Sequence, residues 1–250
     1  MKTLFESCIV AFGMYSKIPV PPVEWNEKNM RLCICFFPLI GIPAGLLMWG
    51  WQILAGVIHA GALLRAAVFC ILPVLLTGGI HMDGFLDTAD ALSSHKSQEE
   101  KLRILSDSRC GAFAILSGIC YFLLYLGAAG ELSSGDFPGL ISIFVLSRAL
   151  SGLGLLQLRK AKGSGLLKTF SDAADLRTVT AVMILWLTAA GIAVIVLSPV
   201  KGAAVCAVCL LVFLWYRHMS YTQFGGITGD LAGCFLQVCE LAALLIYVLL

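Results

Sequence analysis

Long apolar stretches alternate with short polar segments along nearly the whole chain. Most stretches approach the length of about 20 residues that an α-helix needs to cross a bilayer. The pattern predicts seven spanning helices, although the second and sixth stretches are short, so six or eight also fit. The stretches are residues 32–58, 64–80, 111–130, 138–158, 179–198, 202–216 and 231–250.

The composition supports a membrane protein. Hydrophobic residues make up 59% of the 250 residues and charged residues only 13%, whereas soluble domains carry about 25% charged residues. We therefore predict an all-α fold, one polytopic integral membrane domain over residues 1–250. The net charge of +2 is too small to indicate a nucleic-acid partner. Most of the ten cysteines lie in apolar stretches, which favours reduced, buried thiols.

Lys and Arg residues cluster in every second polar segment. They are dense before the first apolar stretch and after the second and fourth, and one follows the sixth. Segments on the opposite side are nearly free of them, and residues 131–136 carry none. Because basic segments stay in the cytoplasm, the amino terminus is predicted to be cytoplasmic. Every polar cluster then falls on the cytoplasmic face, as if one site were assembled there.

Residues 81–91 hold the densest acidic pattern in the chain. Asp83, Asp87 and Asp90 occupy positions i, i+4 and i+7, which on an α-helix places all three within an arc of about 60°. None has a basic residue three or four positions away. Their mutual repulsion therefore destabilises the helix unless something else compensates it.

A divalent cation would compensate this repulsion. Carboxylate oxygens suit a hard ion such as Mg²⁺, which binds proteins through a few carboxylates together with substrate phosphates. The predicted metal ligands are Asp83, Asp87 and Asp90, with Asp107 as a possible fourth. The alternative interpretation is a solvated helix face. Glu99 follows a capping-box serine and is better explained as a first-turn helix acid.

Three basic residues are candidates for binding phosphate. Arg109 offers a planar fork of donors, although it also fits a simple cytoplasmic anchor. Arg148 lies inside a predicted span, where a cation needs a partner or a wet cavity. The partner we expect is a phosphate or an aspartate of the acidic helix. Lys162 belongs to the flexible basic segment 160–165, which resembles an anion-holding loop without the Walker pattern.

A glycine-rich turn opens the last predicted span. Gly226, Thr228, Gly229 and Asp230 are predicted to bind a phosphate or a second substrate, because backbone N–H groups at a helix start attract anions. Asp230 is also a candidate for the helix N-cap.

The roles of His81 and Glu240 stay open at this level. Gly78 and Gly79 allow the backbone to turn before a new helix begins near His81. His81 suits a general base near neutral pH, a cap or a hydrogen bond to substrate. Glu240, deep in the last span, fits equally a structural hydrogen bond to another helix and a functional role.

Together these motifs resemble the cobalamin synthase family, the adenosylcobinamide-GDP ribazoletransferases. The specific segments are residues 78–90 (GGIHMDGFLDTAD), 107–113 (DSRCGAF) and 226–230 (GITGD). Residues 12–21, the Ser147–Arg148 pair and the 159–170 loop resemble further family blocks. The sequence departs from the family at Lys17, where Arg is expected, and at Ala91 and Ala114, where Gly is usual. The 159–170 loop matches loosely.

The resemblance implies a phosphoryl transfer. The 3′-hydroxyl of α-ribazole, or of its 5′-phosphate, attacks the cobinamide-linked phosphorus of adenosylcobinamide-GDP, and GMP leaves. Asp83, Asp87, Asp90, His81 and Arg109 would be the catalytic residues, and Mg²⁺ the cofactor. The expected location is the bacterial cell (inner) membrane with the site facing the cytoplasm. A homo-oligomer or contact with other enzymes of the pathway is compatible with the sequence.

Two other functions match parts of this pattern. A CDP-alcohol phosphotransferase acting on a lipid also uses clustered aspartates, but its signature requires an Ala-Arg pair shortly after the first Asp-Gly. Here Asp87-Thr88 stands at that place. An ion-coupled transporter would spread polar residues through several spans near the membrane midplane, whereas this chain concentrates them at one face.

Overall fold

The computed structural model describes residues 2–107, 109–161 and 166–250. The described residues form helices joined by short connections, and they contain no named β-strand. The helices are α1 (Lys2–Tyr15), α2 (Glu27–Met30), α3 (Gly41–Val57), α4 (Ala62–Thr77), α5 (Ile80–Ser93), α6 (Gln98–Ile104), α7 (Ala112–Gly130), α8 (Phe137–Gln157), α9 (Leu166–Ala173), α10 (Leu176–Leu197), α11 (Pro199–Phe224) and α12 (Gly229–Leu249). Two 3₁₀ turns, Cys33–Phe36 and Pro38–Ile40, lead into α3. The predicted all-α membrane bundle is confirmed.

Six helical segments of the described chain are long and apolar enough to cross a membrane. They are Cys33–Val57, Ala112–Gly130, Phe137–Gln157, Leu176–Leu197, Pro199–Phe224 and Gly229–Leu249. A seventh is present if α4 and α5, which meet at an angle of 98°, are taken as one broken span. The predicted count of seven therefore holds only with this pair included.

Two of the predicted spans have different boundaries in the structure. The stretch 64–80 ends early, because Gly78 and Gly79 both adopt positive φ angles, 64° and 81°, and terminate α4. The stretch 202–216 is only part of α11, which has 26 residues and stops at Gly225 in the left-handed conformation. Sequence hydropathy missed the end of α11 because Arg217 and the residues after it are polar.

Helix α8 lies at the centre of the bundle. It packs against α3, α10 and α12, and 89% of its most apolar window is buried, compared with 22% for α10 and for α11. The outer faces of α10 and α11 expose large aliphatic side chains such as Leu185 and Leu211. Such faces suit a lipid environment, in which apolar side chains need no protein cover.

Small residues allow two helices of the centre to approach closely. A Cβ added to Gly41 would lie 2.6 Å from the backbone carbon of Phe144, and one added to Gly45 would lie 2.8 Å from the Cα of Ile141. This is the close helix packing that a small-xxx-small pattern suggests. Ten cysteines are free thiols, as predicted.

The cytoplasm-facing connections predicted from charge include α6. Ser97 caps this helix by accepting a hydrogen bond from the Glu100 N–H, and the Glu100 carboxylate accepts one from the Ser97 N–H, each at 3.4 Å. The predicted capping box is therefore confirmed. The helix ends at Ile104.

Candidate active site

Helix α5 carries the acidic pattern as the sequence predicts. It begins at Ile80, directly after the two glycines, and runs to Ser93. With 14 residues it is too short to be one of the six spans. The Asp83 side chain is exposed, and those of Asp87 and Asp90 are partly exposed. The three carboxylates therefore project from one short helix at the α4–α5 bend.

Asp230, at the start of α12, joins these three carboxylates. Burial, together with the negative charges of Asp83, Asp230 and Asp90 in that order of size, raises the pKa of Asp87 to about 6. Among the described residues, no cation lies within ion-pair distance of Asp83, Asp87 or Asp90. The result is a strongly electronegative group of four aspartates, referred to below as the carboxylate group.

A close backbone contact brings α12 to α5. A Cβ added to Gly84 would lie 2.6 Å from the carbonyl oxygen of Asp230 and 2.8 Å from its Cα. One turn away, a Cβ on Gly233 would lie 3.1 Å from the carbonyl oxygen of His81. Glycine at both positions therefore lets the two helices cross almost in backbone contact. This crossing places Asp230 beside the α5 carboxylates.

The N-cap of α12 is Thr228 and not Asp230. The Thr228 hydroxyl accepts a hydrogen bond from the Leu231 N–H at 3.2 Å and donates one to the Asp230 carboxylate at 3.4 Å. Asp230 instead lies in the first turn of the helix, where a negative charge is favourable. The suggestion that Asp230 caps the helix is therefore wrong. The hydroxyl of the actual cap, Thr228, holds the Asp230 carboxylate by a hydrogen bond.

Asp90 has a second role that its spacing alone did not reveal. Its Oδ1 accepts a hydrogen bond of 3.3 Å from the Ala114 N–H, at the start of α7. Gly111 lies so close that a Cβ there would collide with the Asp90 carboxylate. Asp90 therefore caps α7 from outside that helix and holds the 109–111 segment against α5.

Asp107 is occupied by a different partner. The Arg109 guanidinium donates to both Asp107 oxygens, with Nη2–Oδ2 at 2.7 Å and Nε–Oδ1 at 3.0 Å. This fork lowers the pKa of Asp107 to about 2. Asp107 is not among the groups that act on Asp87. The structure therefore does not bring Asp107, predicted as a fourth ligand, together with the α5 aspartates, and the Arg109 side chain is 87% exposed beside it.

The glycine-rich turn before α12 contacts the start of the basic loop after α8, as a single shared site requires. Lys160 and Ile227 form an isolated parallel bridge. The Ile227 N–H donates to the Arg159 carbonyl at 2.8 Å, and the Ala161 N–H donates to the Ile227 carbonyl at 2.9 Å. A Cβ on Gly226 would lie 2.5 Å from the Arg159 oxygen. This glycine permits a close backbone crossing.

The predicted phosphate contact of Gly226 needs correction. Its N–H donates to the Ser220 carbonyl at 3.0 Å, so this amide is already satisfied within the chain. Gly229, the first residue of α12, has open space where a side chain would lie. Lys162, also predicted to bind phosphate, lies outside the described residues.

Two further cations border this turn. The guanidinium carbons of Arg159 and Arg217 lie 5.0 Å and 5.6 Å from the centre of the Tyr221 ring. The Tyr221 hydroxyl in turn accepts a hydrogen bond from the Arg159 N–H at 2.9 Å. Sequence reasoning missed Arg217 and Tyr221 as site residues, because the predicted span ended before them. Their spacing of four residues was the available signal.

Arg148 does not have the partner predicted for it. Its guanidinium is buried, 1% exposed, and Nη1 donates to Glu240 Oε1 at 2.7 Å. The expected partners were a phosphate or an aspartate of α5. The pairing with Glu240 corrects both, because Arg148 faces the interior of the bundle. For Glu240, the structural hydrogen bond to another helix is the alternative that the coordinates support.

His81 is also directed inward. Its side chain is 6% exposed, and its ring centre lies 6.2 Å from that of Phe37. The Nε2 atom has no hydrogen-bond partner among the described residues. A substrate at the surface of α5 would not reach this ring, so the general-base role suggested for His81 gains no support from the geometry.

Comparison with known proteins decides the family. The family model described as cobalamin-5-phosphate synthase matches residues 7–248. The chain belongs to this family. A protein of Lachnoclostridium phytofermentans named adenosylcobinamide-GDP ribazoletransferase is 46% identical over 239 residues, covering 95% of this chain and 91% of that protein. Proteins of the same name from Clostridium botulinum strain Alaska E43 and Brevibacillus brevis are 32% and 30% identical, over 98% and 95% of this chain. No solved structure matches.

Membership in the cobalamin-5-phosphate synthase family confirms the resemblance drawn from the motifs. The chain is accordingly a transferase of cobalamin synthesis. The match includes α5, the 107–113 segment and the start of α12, which contribute the residues described above. Within the described residues, no three His, Cys, Asp or Glu side chains already converge at metal-binding distances. The carboxylate group is thus close in space without being a preformed chelate.

Proposed function

We propose that this chain joins adenosylcobinamide-GDP to α-ribazole or α-ribazole 5′-phosphate and releases GMP. The relatives are named adenosylcobinamide-GDP ribazoletransferase, which names one substrate and the group transferred. The observation that carries the proposal is the carboxylate group, in which Asp83, Asp90 and Asp230 lie close enough to Asp87 to act on its charge. Such a group suits diphosphate chemistry, in which positioning and charge neutralisation contribute most of the catalysis.

The transfer exchanges one bond to phosphorus for another. The 3′-hydroxyl oxygen of the ribazole attacks the phosphorus that carries cobinamide, and the bond from this phosphorus to the bridging oxygen breaks. The bridging oxygen leaves with GMP. The hydroxyl proton passes to one aspartate of the carboxylate group, which acts as the general base. The products are adenosylcobalamin, or its 5′-phosphate, and GMP.

The donor chemistry of the carboxylate group fits Mg²⁺. All four side chains offer hard oxygen ligands, and burial together with the charges of the other three aspartates raises the pKa of Asp87 above its usual value. Asp83, Asp87, Asp90 and Asp230 would hold the ion, with Asp230 in the place first considered for Asp107. When bound, Mg²⁺ neutralises charge on the diphosphate and on departing GMP.

Exposed cations around the turn bind the remaining phosphate charge. Arg109, Arg159 and Arg217 are exposed at the same end of the bundle as α5 and the start of α12. Their forked donors suit phosphate oxygens. Since basic residues mark the cytoplasmic side, this end faces the cytoplasm, and the protein resides in the cell membrane of its bacterium.

GMP release by the purified protein in detergent tests the proposal. The reaction contains adenosylcobinamide-GDP and α-ribazole, with Mg²⁺ or with EDTA. The wild type should release GMP only when both ribazole and Mg²⁺ are present, and Asp87→Asn should lower the rate by about 100-fold or more. Glu99→Gln, which removes an exposed acid on α6, serves as the matched control and should retain the rate.

Each part of the proposal can fail separately. Full activity in Asp87→Asn would preserve the transfer reaction but remove the proposed role of the carboxylate group. Full activity in EDTA would remove the metal. Absence of GMP release by a folded, monodisperse wild type would overturn the reaction itself.

A further inference from the structure

A polar node lies in the bundle interior, away from any substrate contact described above. Arg148 is in the middle of α8 and Glu240 in the middle of α12. Nη1 of Arg148 donates to Glu240 Oε1 at 2.7 Å and to the Phe144 carbonyl at 3.0 Å. The Ser147 hydroxyl donates to the same Glu240 oxygen at 2.8 Å. The pair is 1% and 5% exposed.

Stability alone does not account for this pair. A buried ion pair loses much hydration, and apolar side chains of similar volume often give a protein that is equally or more stable. Within a membrane, moreover, helices gain little from burying apolar surface against one another. A polar contact between two spans instead favours one rotation and one depth of each helix, because any other arrangement leaves a charge unpaired.

The position of α12 along its own axis matters because α5 packs against the first turns of α12. Gly233, two helical turns before Glu240, contacts the backbone of His81, and Asp230 contacts the backbone of Gly84. The Arg148–Glu240 pair is therefore linked, through α12, to α5 at both His81 and Gly84.

Two buried nitrogens near this connection lack partners among the described residues. They are Nε of Arg148 and Nε2 of His81. The buried polar atoms of this region are therefore not all paired within the described residues.

We propose that Arg148 and Glu240 are positioning residues for the transfer reaction. Their pairing sets the register of α12 against α8, and α12 in turn holds α5 at the depth that brings Asp83 and Asp87 to Asp230. Neither side chain contacts the substrate. The effect on the reaction rests on the proposed function. The effect of the pair on the order of α5 does not.

Two variants test the proposal. Glu240→Gln keeps an oxygen for Arg148 but removes the charge, and the double variant Arg148→Met/Glu240→Met replaces the pair with apolar side chains of similar length. Trp51→Phe is the matched control, because it removes an interhelical hydrogen bond of 3.1 Å to the Arg65 carbonyl elsewhere in the bundle. All are purified in detergent, and only monodisperse protein is compared.

Two measurements are made on each variant. Hydrogen–deuterium exchange of peptides covering residues 80–93 reports the order of α5 without any ligand. Steady-state kinetics separate kcat from the KM of both substrates. The double variant should keep the thermal midpoint of the wild type, exchange faster by about tenfold in α5, and lose about 100-fold in kcat with little change in KM. In Glu240→Gln, the exchange of α5 should rise and kcat should fall by smaller factors. Trp51→Phe should match the wild type in both.

Several results would overturn the proposal. Unchanged α5 exchange in the double variant would do so even if kcat fell. A rise in KM with unchanged kcat would show that Arg148 binds substrate. If the wild type itself transfers nothing, the proposed reaction fails, and the exchange of α5 still decides whether the pair orders that helix.

Discussion

Gly84 of α5 and Asp230 of α12 touch through their backbones, with the position of a Gly84 Cβ only 2.6 Å from the Asp230 carbonyl oxygen. Two helices distant in sequence can share carboxylates only because this crossing is so close. The contact therefore determines whether Asp230 belongs to the carboxylate group. It also requires that residue 84 be glycine, because a side chain there would meet the backbone of Asp230.

Gly84→Ala should separate α5 from α12. Forcing a methyl group into a packed contact costs about 1–3 kcal/mol, and the displaced Asp230 should lower kcat by about 100-fold. Thermal unfolding and GMP release are measured together. Gly127→Ala on α7, where an added Cβ meets nothing within 4 Å, is the control and should keep both properties. Wild-type kcat in Gly84→Ala would show that the crossing tolerates a methyl group.

The role of Asp90 as a cap of α7 can be separated experimentally from the role of its negative charge. Asp90→Asn retains an oxygen for the Ala114 N–H, whereas Asp90→Ala removes the cap of α7. Loss of a cap costs about 1 kcal/mol, so only Asp90→Ala should lower the unfolding midpoint. If Asp90 also supports the metal, both variants should require more Mg²⁺ for half-maximal activity. An unchanged Mg²⁺ requirement in Asp90→Asn would assign Asp90 to the cap alone.

The local structure of α5 could be predicted because its signals are local. The two glycines that end α4, the i, i+4, i+7 aspartates and the capping box at Ser97 each act within a few residues. In each case the sequence spacing and the physical contact coincide.

Contacts between distant helices could not be predicted in this way. No local pattern shows that Glu240, and not a phosphate, neutralises Arg148, because the pairing depends on which faces of α8 and α12 meet. The same holds for Asp230 and the cap formed by Asp90 on α7. Asp107, predicted as a possible fourth ligand, instead pairs with its neighbour Arg109.

The fourth ligand can be identified by comparing Asp230 with Asp107. Asp230→Asn should lower kcat by about 100-fold and raise the Mg²⁺ concentration needed, because Asp230 acts directly on Asp87. Asp107→Asn should change kcat by no more than about threefold, since Asp107 is paired with Arg109 and does not act on Asp87. The reverse order of effects would restore Asp107 as a ligand and exclude Asp230.

The raised pKa of Asp87 predicts how stability depends on pH when no metal is present. The pKa rises from 3.8 to about 6 in the folded protein, so between these values the folded state holds a proton that the unfolded chain releases. Stability therefore increases as the pH falls through about 6, and the repulsion is present in full above that pH. In EDTA, the thermal midpoint of the wild type should rise from pH 7 to pH 5 relative to that of Asp87→Asn.

Added Mg²⁺ should reduce this difference, because a bound cation favours the ionised form of Asp87 and so lowers its pKa. Asp136→Asn, at the opposite end of the bundle and close to Lys201, controls for the loss of any one carboxylate. If the wild type and Asp87→Asn show the same pH dependence in EDTA, the four aspartates do not repel one another in the folded protein. The carboxylate group would then lose its physical basis as a cation site.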